Sequence, residues 1–111
     1  MAEVLRQPAE VRPTAILVSN DFYAVAVYEA ARALGLEIGR DLSVVGFSDV
    51  ALASLPVPKL TTVRQDAIQI GRNAAELLLD RIERRVENVE PQAVQVGCDL
   101  VVRSSTGPEP A

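Results

Sequence analysis

Two apolar runs, each closed by small polar residues, constrain this chain more than any other feature. Residues 14–21 read TAILVSND and residues 41–49 read DLSVVGFSD. Short apolar runs rich in β-branched side chains suit strands covered on both faces. Between them, residues 22–34 (FYAVAVYEAARAL) are dense in alanine and apolar side chains, which predicts a helix packed on two sides. Gly35 stands where a left-handed C-terminal cap belongs. Strand, helix, strand in that order predicts a right-handed βαβ unit with parallel strands. Ligands bind at the carboxyl edge of such a sheet. Ser19, Asn20 and Asp21 end the first run, and Phe47, Ser48 and Asp49 end the second beyond Gly46. Polar groups from two strands at one edge predict a small-molecule site. Any of Ser19, Asn20 and Asp21 has the side-chain oxygen needed to cap the following helix.

The rest of the chain continues the α/β pattern. Residues 60–63 (LTTV) read as a third strand ending in Arg64, Gln65 and Asp66, with Asp66 placed to cap a helix over 67–85. One stripe on that helix runs through Ala67, Ile70, Gly71, Ala74, Leu77, Leu78 and Arg81, and a second through Ile68, Ala75, Leu79, Ile82 and Val86. Two stripes demand two packing partners. Residues 50–58 (VALASLPVP) predict a short helical turn and an extended apolar loop of the kind that marks an interface. A polar turn is expected at 87–91, then short strands at 92–96 and 100–102 around Gly97, then a flexible tail over 104–111. Residues 1–12 read as a helix end and linker from a larger protein, and residues 13–103 as the folded lobe.

Composition removes several function classes. The chain has 111 residues, enough for one domain with a core, and a formal net charge of −4. A net acidic chain is a poor candidate for binding a phosphate backbone directly. It has no histidine, the commonest general base and metal ligand. One cysteine fits a reducing, cytoplasmic compartment. The start carries no hydrophobic leader region, and no apolar run approaches the roughly 20 residues that span a bilayer. GFSDV departs from the G-x-S-x-G nucleophile elbow at Val50, and no histidine exists to activate Ser48. An Asp21/Asp49 catalytic pair is a weaker reading than two ligand acceptors or helix caps. A phosphoacceptor receiver domain fits poorly too, because Lys59, the sole lysine, precedes its strand. Cys98 reads as a small, partly buried strand residue. Arg81, Arg84 and Arg85, interleaved with Glu83 and Glu87, read as a solvated helix end. No catalytic residue, metal ligand or cofactor is assigned.

Taken together, PTAILVSNDFYAVAVYEAARALGL, DLSVVGFSDVALASLPVPKLTTVRQD, IGRNAAELLLDRI and DLVVRSST resemble the carboxyl-terminal part of the effector-binding domain of LacI/GalR transcriptional regulators. That domain is similar in fold to periplasmic sugar-binding proteins. The resemblance implies a parallel-sheet βαβ lobe, half of a two-lobed clamp for a small, sugar-like effector. It implies a helix 67–85 packed on the missing lobe or a partner, and DNA binding only through a helix-turn-helix absent from this chain. It implies ligand contacts from Asn20, from the rim of Phe47, Ser48 and Asp49, and from Gln65 at the crossover. It also implies a homodimer through 22–34 and 50–58. Ser48 departs from the family's G-F/Y-D-D, where the first aspartate bonds sugar hydroxyls, so a charge-assisted bond is lost. A lobe of a solute-binding protein shares the fold and is the alternative.

Overall fold

The computed structural model describes residues 2–55, 58–84 and 90–110, without the side chains of Leu52 and Arg84. Pro56 and Val57 of the expected apolar loop, Arg85 and Val86 of the expected helix, residues 87–89 of the expected turn, and Ala111 lie outside the described residues. The chain divides into two compact units, one of Met1–Arg64 with Asp99–Ala111 and one of Gln65–Cys98.

In the first unit, a short helix α1 (Ala2–Leu5) leads through a turn into strand β1 (Ala15–Leu17), helix α2 (Asp21–Ala33) and strand β2 (Ser43–Phe47). A single 3-10 turn (Ala51–Ser54) then precedes strand β3 (Thr61–Gln65). Strand β4 (Cys98–Val101) completes a four-stranded sheet in the order β1-β2-β3-β4. β1 pairs parallel with β2 and β2 parallel with β3, with Leu17 opposite Val45 and Phe47 opposite Val63. The expected βαβ unit with parallel strands is therefore present.

Helix α2 buries Asp21, Ala24, Val27 and Ala31, the three- and four-residue spacing of one face. That face joins Leu5, Leu42, Val44, Ala53 and Leu60 in one apolar core. Full burial of a Val or Leu side chain stabilises by about 1.5–3 kcal/mol, so this cluster outweighs the surface ion pairs of the unit. The opposite side of α2 leaves Phe22, Tyr23 and Val25 exposed. The helix ends as its glycine predicts. Gly35 takes φ +68°, its N–H donates to Arg32 O at 3.2 Å, and Leu36 N–H donates to Ala31 O at 2.9 Å. Those paired bonds satisfy carbonyls that the helix end would otherwise orphan.

Three expectations need correction. Residues 104–107 are no loose tail. Ser105 is fully buried; its Oγ donates to Val44 O at 2.6 Å and accepts from Thr61 N–H at 2.7 Å. Its N–H donates to Lys59 O at 2.9 Å and its carbonyl accepts from Val44 N–H at 2.8 Å. The segment thus fills the gap where β2 and β3 begin, using backbone groups those strands do not spend on each other. Residues 92–96 form no strand; a short valine-bearing run makes a strand only where a neighbour completes its ladder, and none among the described residues pairs with them. Cys98 is exposed, as are Asp99 and Leu100 after it, and β4 begins at Cys98, two residues before the expected start.

The second unit is dominated by helix α3 (Ala67–Arg84). Asp66 caps it, its Oδ1 accepting from Gln69 N–H at 2.9 Å. Ile70, Ala74 and Leu77 line an open groove of about 330 Å³ with Val94 and Val96. Ile68, Leu79 and Ile82 of the second stripe are exposed.

Candidate functional site

The ends of β1 and β2 meet through side chains. Asn20 is the N-cap of α2; its backbone is extended and its Oδ1 accepts from Phe22 N–H at 3.0 Å. Its Nδ2 then faces Ser48 Oγ at 3.5 Å. One amide thus serves both readings, the oxygen as cap and the nitrogen toward the rim. Ser48 and Asp49 sit directly after β2 with φ of +109° and +51°. Two successive non-glycine residues in that region cost on the order of 1–3 kcal/mol each, and such outliers survive only where their surroundings over-determine them.

Those surroundings are visible. Ser48 N–H donates to Val63 O at 2.8 Å, and Val50 N–H donates to Asp21 Oδ2 at 2.9 Å. Asp49 accepts from Arg103 Nη2 and from Arg64 Nε, each at 2.7 Å. Arg103 is itself anchored, with Nη1 donating to Leu60 O at 2.8 Å and its backbone N–H to Thr61 Oγ1 at 2.9 Å. Burial alone would raise the Asp49 carboxyl; the hydrogen bonds and charges of Arg103 and Arg64 outweigh it and hold the group below the ordinary carboxylate range.

Asp21 is 1% exposed, an unusual place for a carboxylate. Its Oδ1 accepts from Thr62 Oγ1 at 2.6 Å while Oδ2 holds Val50 N–H. Gly46 is glycine for the same reason: a Cβ there would collide with that carboxylate and lie 2.8 Å from Leu60 Cδ2. Asp21 therefore clasps β3 and the loop beyond β2 from one point, and packs close against Gly46 of β2.

The five residues singled out from sequence are thus placed as follows. Asn20 and Ser48 are brought together. Phe47 is the last residue of β2, half-buried beside them in sequence. Asp49 is present but engaged by two arginines. Gln65 is the last residue of β3 and the first of the second unit. Sequence reasoning missed Arg64, Arg103 and Thr62. A buried carboxylate announces a partner, but nothing in VRQD or VVRSST marks those arginines as its neighbours.

A family model described as a periplasmic binding protein-like domain matches residues 1–106. The arabinose metabolism transcriptional repressor of Geobacillus stearothermophilus is 39% identical over 105 residues, which cover 94% of this chain and 28% of that repressor. A regulatory protein of the LacI family from Chloroflexus aggregans is 37% identical with a TM-score of 0.81, over 96% of this chain and 37% of that one. A lac repressor dimer bound to operator and the anti-inducer ONPF is 32% identical with a TM-score of 0.79, over 96% of this chain and 36% of that one. The chain thus spans less than a third of the length of the curated repressor it matches.

Proposed function

The chain belongs to the periplasmic-binding-protein-like domain family, in its LacI/GalR branch, and from that premise we propose that it is the effector-sensing part of a transcriptional regulator. Binding of a small, sugar-like effector at the rim would bias the DNA affinity carried by other segments of a longer protein. The observation that carries this reading is the junction of Asn20 and Ser48 at the carboxyl ends of adjacent parallel strands, on backbone held in a costly conformation. Asn20, Ser48 and Phe47 are the proposed effector contacts of the first unit, with Asp49 holding the turn that carries Ser48; Gln65 is proposed as a contact from the second unit.

The acidic net charge of −4 supports DNA contact through other segments and not through this one. Exposure of Phe22, Tyr23 and Val25 on α2, and of Leu55 after the 3-10 turn, supports a homodimer through 22–34 and 50–58. Ile68, Leu79 and Ile82 of α3 would be covered by other parts of the longer protein. A cytoplasmic location follows from the regulator reading; among the described residues no helix is long and apolar enough to cross a membrane. The solute-binding alternative has the same fold, but the relatives named above are regulators and not transport receptors or enzymes.

A paired experiment tests the proposal. Operator-length duplex is titrated in a mobility shift at low salt, and a panel of small saccharides and their derivatives is titrated by amide NMR. The expected result is no specific retardation, with shifts centred on residues 19–21 and 47–50. Specific retardation by this chain, or no rim perturbation from any panel member, overturns it.

A further inference from the structure

The hydrogen-bond capacity of the rim has a sign. The side-chain oxygens of Asn20, Asp21 and Asp49 are all engaged within the fold. Asn20 Oδ1 takes Phe22 N–H, both Asp21 oxygens take Thr62 and Val50, and each Asp49 oxygen takes an arginine. Unused hydrogens lie on Ser48, Asn20 and Arg64. Ser48 Oγ receives from Asn20 Nδ2, so its own hydroxyl hydrogen is free to point outward, and a second hydrogen is left on that amide. Among the described residues, the Arg64 side chain makes one hydrogen bond, through Nε to Asp49, and is 55% exposed. Its terminal amino groups remain as charged donors. Asp49, by contrast, is 9% exposed and Asp21 1%. Of Asp21, Asp49 and Arg64, the charge with access to solvent is therefore the cation.

Polyol hydroxyls are recognised best by groups that accept and donate together, and carboxylates supply the acceptance. A rim of Ser48 hydroxyl, Asn20 amide hydrogens and the Arg64 guanidinium suits the opposite ligand, one rich in acceptors and negatively charged. We propose that this site selects an effector bearing an anionic group, a carboxylate or phosphate on a sugar-like frame, over the neutral sugar, with Ser48 and Arg64 as the specificity-determining residues. The inference rests on the effector-sensing reading above and deepens it.

The probes are glucose, gluconate, glucose 6-phosphate and inorganic phosphate, each titrated into the full chain at low ionic strength and followed by amide and arginine Nε NMR signals. Gluconate or glucose 6-phosphate should shift the signals of Asn20, Ser48 and Arg64 at concentrations about tenfold lower than glucose, since charge-assisted bonds are roughly twice as strong as neutral ones. Inorganic phosphate alone should bind more weakly than glucose 6-phosphate. Arg64→Gln should erase the preference. Ser48→Asp, which restores a carboxylate without touching the Asp49 pairs, should reverse it in favour of glucose. Glucose binding at the rim as tightly as its anionic counterparts overturns the inference and leaves the sensor reading standing. Equal shifts from inorganic phosphate and glucose 6-phosphate reduce the effect to a surface anion and overturn it too. Absence of rim shifts from every probe overturns both.

Discussion

Thr62 Oγ1 donates a 2.6 Å hydrogen bond to Asp21 Oδ1 across 41 positions of sequence. This contact ties the start of α2 to the middle of β3, and the other oxygen of the same carboxylate fixes Val50 beyond β2. A fold whose site lies at strand ends needs those ends held in register. Here one buried acid does it.

Asp21→Ala should therefore cost about 2–4 kcal/mol of stability, because it strands the Val50 N–H and the Thr62 hydroxyl in the interior. Gly46→Ala should cost about 1–3 kcal/mol by driving a methyl against the same carboxylate and Leu60. In the double variant the methyl has lost its nearest obstacle, so the two costs should sum to less than their separate values. Urea unfolding of the four proteins measures this cycle. Strict additivity would show that Gly46 is small for some other reason.

Stability should fall in acid through Asp49. Its carboxyl is held below the unfolded value, so its contribution is complete above roughly pH 5 and is lost as pH drops through the depressed folded value. Asp41 adds to the same window, lowered by its hydrogen bonds from Arg40 and from Glu37 N–H. Asp49→Asn should flatten the profile of unfolding midpoint against pH between about pH 5 and 2 without abolishing its slope. A variant profile parallel to that of the parent would mean the Arg64 and Arg103 pairs contribute nothing.

Ser105→Ala should destabilise by about 2–4 kcal/mol, since the buried hydroxyl donates to Val44 O and accepts from Thr61 N–H. Removal of residues 104–111 should cost at least as much. A melting temperature unchanged by either alteration would restore the reading of this segment as a tail.

These contrasts show which parts of the fold a sequence discloses. Strand β2, a cap of α2 among Ser19, Asn20 and Asp21, the cap at Asp66 and the glycine ending of α2 are legible, because each is decided by residues within a few positions of itself. The role of Ser105 was hidden. Its partners are 44 and 61 positions away, and Ser-Ser-Thr-Gly is what a solvated tail also looks like. Asp21 was legible as a strand-end acid but not as a buried clasp, since carboxylates are rarely buried unless paired, and its partner Thr62 lies in another strand. The short run QAVQV reads as a strand, yet among the described residues no neighbour completes it. For the site, strand order brought Asn20 and Ser48 together as expected, while the arginines that engage Asp49 emerged only from tertiary pairing.

The proposed dimer makes its own prediction. Phe22 and Tyr23 are 64% and 63% exposed on a helix whose other face is buried. Sedimentation should show a dimer, and Phe22→Glu with Tyr23→Glu should yield a monomer that melts within about 1 kcal/mol of the parent subunit, as expected of surface changes. A parent chain that sediments as a monomer refutes the interface.

Asn20 allows the cap and the contact to be separated. Its oxygen caps α2 and its nitrogen faces Ser48. Aspartate keeps an oxygen for the Phe22 N–H and is as good an N-cap, so Asn20→Asp should leave stability within about 0.5 kcal/mol of the parent. Asn20→Ala lacks any cap and should lose about 1 kcal/mol. Both substitutions remove the outward amide hydrogens, and Asp adds a negative charge beside Ser48. Both should therefore weaken binding of an anionic effector, Asp more severely than Ala, by about tenfold or greater. Melting curves and NMR titrations of the two variants decide the matter. Retained binding in Asn20→Asp would confine this residue to the helix end and move ligand recognition elsewhere on the rim.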